Sequence, residues 1–371
     1  MFSVQAGFAG DDAPRSEFAC VVGRPRGQRP GDAHSDPYVG DEAESKGGVL
    51  TLSYPIERGI VTNWDDMEML WHHAFFNELR VAPEDRSVLL VEPLLNPKSN
   101  RERTARIMLE TFNVPALHFA VGAVLSLFAA CRTTGLVVSC GDATSHVVSV
   151  VEGHVVPRSI LQADFSGHDL TRLMAKLLKE RGDYATWTAT VTERVGLLIA
   201  CHIKETRGYV AVDFDEEVKL DPRQQQGNEY ELPDGSVIEL GSERFHCAEA
   251  LFKPSLLGLR DPSRPLEMVA DALARSRGLH ELAHDSIVEC DLAVRKELFG
   301  CVVLAGGTMM FSGIARRMER ELSGLAPAGT PVEVIVPTGY STGRSAWVGG
   351  SILASLDSFP DSLVGSMYRQ S

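Results

Sequence analysis

Two glycine-containing turns are the segments of this chain whose residue types and spacing could hold an anionic ligand. The first, Cys140–Thr144, follows the apolar run Gly135–Ser139 and consists of small residues around a Gly-Asp pair. The second contains the pair Gly306–Gly307, which lies between the apolar run Val302–Leu304 and a helical pattern. Unpaired N–H groups and the dipole at a helix start favour an anion there. Both patterns also occur as ordinary turns, so neither identifies a ligand by itself.

Two further sets of polar residues could take part in chemistry. His146 follows the first turn and could move a proton, although a single histidine after an apolar strand is more often a hydrogen-bonded packing residue. Lys204 and Glu205 are neighbours, and an exposed pair of this kind has little energetic weight. The seven cysteines are scattered without CxxC or metal-ligand spacing, which predicts reduced thiols and no metal site.

Length and charge narrow the class of protein. The 371 residues exceed one ordinary core and predict two or three domains. A net charge of -14, from 36 basic and 50 acidic residues, disfavours nucleic acid and anionic membranes as partners. The first ten residues lack the pattern of a secretory signal. The most apolar stretch, Leu117–Cys131, is too short to span a membrane and predicts a buried helix.

The elements that must position these residues alternate between strand-like and helical patterns. Ser87–Val91 has a strand pattern, whereas Trp64–Leu79 and Gly313–Leu325 repeat apolar residues at helical spacing. Such alternation predicts a layered α/β fold. The Pro-Asp-Gly turn within Leu232–Ser236 predicts a hairpin, and Arg264–Gly278 has the start, apolar face and stop of one helix.

Three segments of this sequence resemble actin: Ala6–Arg26, Tyr38–Arg101 and Trp347–Leu356. With weaker matching between them, the resemblance covers nearly the whole chain. It implies the α/β fold of the actin, Hsp70 and sugar-kinase superfamily, with two lobes around a central nucleotide cleft and four subdomains. The implied subdomains are 1–19 with 55–129 and 344–371, 20–54, 130–165 with 285–343, and 166–284 with an insertion at 260–278.

The same resemblance gives the two turns a role. Cys140–Thr144 matches the second phosphate hairpin of the superfamily, and Leu304–Gly313 matches its adenosine loop. ATP or ADP is therefore the expected cofactor, whereas Mg²⁺ or Ca²⁺ stays open and no metal ligand is assigned. The residues expected at the nucleotide are Gly141, Asp142, Ala143, Thr144, Gly167, Lys204, Glu205, Gly306, Gly307, Thr308, Met310 and Phe311.

Several positions depart from the actin pattern. Gln5 replaces a phosphate-binding lysine, Ser139 replaces the aspartate that helps to hold the water shell of the cation, and Gly122 replaces the glutamine that orients the attacking water. Phosphoryl transfer depends mainly on positioning and charge compensation, so these losses predict weak or absent ATP hydrolysis. His146 is the remaining candidate for a catalytic residue.

The first phosphate hairpin of actin has no counterpart in this sequence. In the superfamily the strand before that hairpin lies in the middle of its sheet, so its loss would leave buried backbone groups without partners. We therefore expect the start of the sequence to be incomplete. The intact mass of the native protein tests this expectation, since a value of 40.4 kDa would contradict it.

The resemblance favours a divergent, actin-like cytoskeletal protein of the cytoplasm. Its expected partners are itself or other actin-family subunits and actin-binding proteins. The polar loop Gly27–Asp36 replaces an apolar tip, which would weaken contacts along a filament. The alternatives are a conventional polymerising actin ATPase with an incomplete N-terminus and a non-polymerising subunit of a larger complex. Between these two alternatives, the polar loop and the insertion at 260–278 favour the non-polymerising subunit. A metabolic kinase is the least supported, because no sugar pocket or catalytic carboxylate is recognisable.

Overall fold

The computed structural model describes residues 3–26, 37–181, 193–220, 228–258, 276–337, 339–357 and 359. Over these residues the chain has a mixed α/β fold and divides into two compact units. Unit 1 comprises residues 1–132 and 344–371, and unit 2 comprises residues 133–343. Among the described helices, none combines the length and the apolar character that a membrane crossing requires.

Unit 1 is built from short sheets and helices. Strands β1 and β2 are antiparallel, β8 and β9 are parallel, β6 pairs with β7, and β3 lies between β4 and β5. Its described strands are β1 (Ser3–Ala6), β2 (Ser16–Ala19), β3 (Val22–Pro25), β4 (Tyr38–Val39), β5 (Leu50–Ser53), β6 (Ile56–Glu57), β7 (Ile60–Val61), β8 (Val88–Glu92) and β9 (Leu117–Val121). Its described helices are α1 (Asp41–Ser45), α2 (Trp64–His72), α3 (Lys98–Arg106), α4 (Gly122–Ala129) and α12 (Ser345–Ala354).

The helix predicted over Trp64–Leu79 is confirmed. Asn63 caps α2 by accepting a hydrogen bond from the Asp66 N–H (3.2 Å). The helix then continues as a π-helical segment, His73–Leu79, and stops where Arg80 adopts a positive φ of 55°. The strand predicted at Ser87–Val91 is also confirmed, one residue later, as β8.

The prediction of one buried helix over Leu117–Cys131 is wrong in its first part. Leu117–Val121 forms β9, and only Gly122–Ala129 is helical. An apolar run does not by itself distinguish a buried strand from a buried helix. Here the parallel pairing with β8 decides the outcome, since it gives the backbone of the first five residues hydrogen-bond partners.

Helices α4 and α12 pack closely at Gly349, the first of two neighbouring glycines in α12. A β-carbon at Gly349 would lie 1.8 Å from the carbonyl oxygen of Leu125, whereas one at Gly350 would meet only methyl carbons of Leu89 and Leu125, at 3.4 and 3.6 Å. We therefore expect Gly349→Ala to lower the free energy of unfolding by about 2 kcal/mol. Gly350→Ala should raise it by up to about 1 kcal/mol through helix propensity. Chemical denaturation of both variants measures the two changes in the free energy of unfolding. Equal changes would contradict the assignment of the close contact to Gly349.

Unit 2 is organised around one sheet with strand order β12-β11-β10-β16-β17, in which β13 also pairs with β11. Strands β10 and β16 are parallel, and β10 and β11 form an antiparallel hairpin. The described strands are β10 (Gly135–Cys140), β11 (Ser145–Val151), β12 (His154–Val155), β13 (Leu161–Ala163), β14 (Glu229–Glu231), β15 (Val237–Glu239), β16 (Val302–Ala305) and β17 (Val334–Ile335). The described helices are α5 (Gly167–Glu180), α6 (Glu193–Arg207), α7 (Phe214–Glu217), α8 (Glu243–Glu249), α9 (Leu279–Val288), α10 (Leu292–Phe299) and α11 (Ile314–Leu325).

The strands β10 and β16, the helix α11 and the β14–β15 hairpin confirm the corresponding sequence predictions. In the hairpin Gly235 has a φ of 83°, and its N–H donates to the Leu232 carbonyl (2.9 Å). The loop Gly27–Asp36 lies outside the described residues. So does the helix predicted at Arg264–Gly278, apart from its last three residues, which precede α9.

Candidate functional site

The turn after β10 meets two segments that are distant in sequence. Its ends are joined by a hydrogen bond from the Gly141 N–H to the Thr144 carbonyl (2.8 Å). The Gly141 carbonyl in turn accepts bonds from the Gly167 N–H (2.9 Å) and from Thr308 Oγ1 (3.1 Å). The structure thus brings together the two glycine-containing turns and the start of α5, all within unit 2.

The turn leaves backbone donors available. Gly141, Asp142, Ala143 and Thr144 are all half-buried. The N–H groups of Ala143 and Thr144 donate to no acceptor within the described part of the chain. Amides arranged in this way on a tight turn form a concave surface that suits an anion such as phosphate.

The start of α5 is fixed by a capping motif that we did not recognise in the sequence. The Ser166 N–H and Oγ donate to Asp169 Oδ2 at 2.8 and 3.0 Å, and the His168 N–H donates to the Asp142 carbonyl at 2.7 Å. The Ser-x-x-Asp spacing before an apolar run was a signal that could have revealed it. Gly167 is needed here, because a β-carbon would lie 2.4 Å from Thr308 Oγ1.

Gly306 allows the second turn to approach the first. Its φ is 86°, and a β-carbon at this position would lie 2.3 Å from the Cys140 carbonyl oxygen. Thr342 holds the residue from the other side: the Gly306 N–H donates to the Thr342 carbonyl (2.9 Å), and Thr342 Oγ1 donates to the Gly306 carbonyl (2.7 Å). No signal in the sequence pointed to Thr342.

Lys204 and Glu205 are placed differently from each other. Lys204 is 4% exposed, and its Nζ donates to the Gly167 carbonyl (3.1 Å) and to Thr171 Oγ1 (2.9 Å), which ties α6 to the first turn of α5. Glu205 is exposed, and its Oε1 lies 3.2 Å from the Cys201 thiol. In the structure the Lys204 ammonium therefore supports the segment around Gly167, and contact of either side chain with a nucleoside stays a prediction.

Met310 and Phe311 lie beside a cavity of 320 Å³ in unit 2. Met310 is 60% exposed, whereas Phe311 is buried. The first turn of α11 and the residues Val336, Pro337 and Tyr340 form the other walls. Met310 is thus available to a ligand, while Phe311 contributes mainly to the core.

Ser139 and His146 face each other across β10 and β11. They form a direct antiparallel pair, so their side chains lie on the same face of the sheet, next to the first turn. Burial lowers the pKa of His146 to about 4. The imidazole is therefore neutral at pH 7 and a weak base, which limits what it can contribute to proton transfer.

The low pKa of His146 predicts a pH-dependent stability. Between pH 6.5 and 4 the unfolded chain binds a proton at His146, whereas the folded protein leaves this imidazole neutral. The free energy of unfolding therefore falls as the pH is lowered from 6.5 toward 4. The loss is at most about 1.4 kcal/mol per pH unit. His146→Gln should remove this part of the slope. Denaturant titrations between pH 7 and 4 test it, and identical slopes for both proteins would contradict the assignment.

Cys140 and Asp169, which lie beside the turn, are both engaged within the protein. Burial raises the pKa of Cys140 to about 11, and its sulfur accepts a hydrogen bond from Ser145 Oγ (2.9 Å). Asp169 is used by the cap of α5. In the part of the chain that the structure describes, no group of three or more His, Cys, Asp and Glu side chains is arranged to hold a metal ion.

The remaining departures lie in unit 1. Gln5 Nε2 donates to Glu17 Oε1 (3.1 Å), and Arg344 Nη2 donates to Glu17 Oε2 (2.8 Å). Gly122 is the first residue of α4 and has no side chain to orient water.

A comparison with protein families agrees with the resemblance seen in the sequence: the family model described as Actin matches residues 1–367.

Proposed function

Because the chain belongs to the actin family, we propose that it binds ATP or ADP and hydrolyses ATP weakly or not at all. The nucleotide then acts mainly as a structural ligand, which stabilises the folded protein by mass action. We further propose a cytoskeletal role in the cytoplasm, in filaments or in complexes with other actin-family subunits and actin-binding proteins.

The observation that carries the binding proposal is the convergence at the Gly141 carbonyl. One acceptor is shared by the Gly167 N–H and Thr308 Oγ1, so three segments predicted to contact the nucleotide are fixed against one another. Gly306 completes the arrangement through its approach to Cys140. The half-buried amides of Ala143 and Thr144 are the donors that we assign to the phosphates.

The chemistry of the side chains supports weak hydrolysis. A hard divalent cation prefers carboxylate and water oxygens, and Ser139 offers only a hydroxyl. Of the carboxylates near the turn, Asp142 remains as a candidate to hold a hydrated Mg²⁺ or Ca²⁺, which would offset phosphate charge when bound. His146 is a weak base, and Gly122 cannot position water. Binding can therefore persist where turnover does not.

We also propose the subdomain boundaries given by the resemblance. Residues 20–54 form a small subdomain, since strands β3, β4 and β5 make a separate three-stranded sheet, and its Val21 and Ala43 form a small apolar cluster with Ala19 of β2. Residues 166–284 form the corresponding small part of unit 2. The larger parts are 1–19 with 55–129 and 344–371, and 130–165 with 285–343.

Purification followed by nucleotide extraction and sedimentation tests the proposal. We expect about one molecule of ATP or ADP per chain, because the two glycine-containing turns together form a single candidate site. Sedimentation, at increasing protein concentration and with added actin, separates self-assembly from incorporation into complexes. A protein that carries no nucleotide and gains no stability from added ATP would contradict the binding proposal.

A further inference from the structure

Unit 1 contains a cavity of 460 Å³ that is lined by residues of α2 and α3. Both helices bury another face in one apolar cluster, to which α2 contributes Met67 and Leu70 and α3 contributes Ala105. Trp64 and Ile107 are half-buried, pack against the same cluster and also line the cavity. They give the cavity an apolar surface, and its volume lies in the range of small-molecule sites, about 300–1,000 Å³.

The two helices present opposite charges to this cavity. Asp65 and Glu68 of α2 are three residues apart, and so are Arg103 and Arg106 of α3, so each pair lies on one face of its helix. The Arg103 guanidinium lies over the Trp64 ring, 4.9 Å from its centroid, and this contact holds the guanidinium at the cavity. The cavity therefore has an acidic side and a basic side.

The charges of the two sides are not neutralised by the ion pairs around them. Glu102, which also lines the cavity, pairs with Lys98 Nζ (3.6 Å). By contrast, Glu68 and Arg106 take part in no ion pair with any residue that the structure describes. They line the same cavity, yet they lie too far apart to pair with each other. A ligand with one charge would satisfy one side only, whereas a ligand with both charges can satisfy the two together.

We propose that this cavity binds a small zwitterion in which an ammonium group and a carboxylate are joined by an apolar chain. The ammonium group pairs with Glu68, the carboxylate pairs with Arg106, and the chain between them packs against Trp64 and Ile107. An ω-amino acid has these three parts, and so does a lysine at the free carboxyl end of a polypeptide. The site recognises this shared chemistry.

Titration of the whole chain with 6-aminohexanoate tests the proposal. The compound should shift the NMR resonance of the Trp64 indole N–H, which is assigned by its loss in Trp64→Phe. Hexylamine and hexanoate have the same number of carbons and one charge each. Each should bind at least about tenfold more weakly than 6-aminohexanoate, because it leaves one side of the cavity without a partner. Equal affinity for either compound, or no shift with 6-aminohexanoate, would overturn the proposal.

Charge variants test where the ligand lies. Glu68→Gln and Arg106→Gln should each weaken binding of 6-aminohexanoate about tenfold. Arg158→Gln, which removes an exposed ion pair of unit 2, is the matched control and should bind it as the parent protein does. Glu68→Arg combined with Arg106→Glu exchanges the two charges and should recover most of the affinity, since the zwitterion can then bind in the opposite direction. No loss in the single variants, or no recovery in the exchanged variant, would overturn the proposal.

A pair of peptides distinguishes the two sources of this ligand. The peptide Gly-Ser-Gly-Ser-Lys with a free terminal carboxylate has the proposed zwitterion at its end, whereas its amide lacks the carboxylate. Displacement of 6-aminohexanoate by the acid alone would support the end of a polypeptide as the ligand. Displacement by neither peptide would support a free small molecule. Equal displacement by both peptides would show that the carboxylate is not recognised and would overturn the proposal.

Discussion

Replacing Gly306 with alanine should weaken nucleotide binding by about thirtyfold or more. The added β-carbon would lie 2.3 Å from the Cys140 carbonyl oxygen, and the φ of 86° is unfavourable for any residue with a side chain. Together the close contact and the unfavourable φ destabilise the loop conformation seen in the structure by about 2–5 kcal/mol. The loop can avoid the cost only by moving away from the turn at Gly141. Titration with a fluorescent ATP analogue measures the loss.

Gly324→Ala, in α11, is the matched control, because a β-carbon at Gly324 would meet no atom within 4 Å and the residue is not one of those expected at the nucleotide. We expect this variant to bind the analogue with an affinity close to that of the parent protein. Melting curves without nucleotide show whether either variant unfolds. If both variants are folded and bind the analogue with equal affinity, the proposal that the Gly306 turn acts as the adenosine loop is wrong.

Glu249→Ala should lower the free energy of unfolding of unit 2 by about 3–5 kcal/mol. Glu249 is 1% exposed and receives two hydrogen bonds from Arg317, at 2.8 and 2.9 Å, which join α8 to α11. The Arg317 guanidinium also donates to the Ala211 carbonyl (2.9 Å) and stacks on Phe252. Removing the carboxylate leaves a buried cation with one fewer partner, and this accounts for the size of the effect.

Arg158→Ala serves as the comparison, because its ion pair with Asp291 (2.7 Å) is exposed on both sides. An exposed pair contributes less than about 1 kcal/mol. Chemical denaturation of both variants measures the difference. A loss below about 1 kcal/mol for Glu249→Ala would show that the buried pair does not hold the two helices together.

Local sequence patterns predicted correctly those elements that have a clear hydrophobic period or a well-defined turn. The strands at Gly135–Ser139 and Val302–Leu304, the helix at Trp64–Leu79 and the hairpin around Gly235 follow from local patterns. The helix predicted over Leu117–Cys131 was wrong at its start, because pairing with β8 is a long-range effect that an apolar run does not encode.

The geometry of the site could not be derived from local patterns. Gly141, Gly167 and Thr308 are far apart in the chain, and only the resemblance suggested that they belong to one site. The bond from Thr342 to Gly306 and the bonds of Lys204 to α5 depend on packing in unit 2. Sequence patterns also gave no value for the basicity of His146, since its low pKa arises from burial.

The central claim is that nucleotide is bound but not turned over. Loading the purified protein with ATP labelled at the γ-phosphate, then following bound nucleotide and free phosphate beside a conventional actin, tests it most directly. We expect the label to stay in protein-bound ATP over the period in which the conventional actin releases its phosphate. Release of one phosphate per chain at the rate of the conventional actin would contradict the claim.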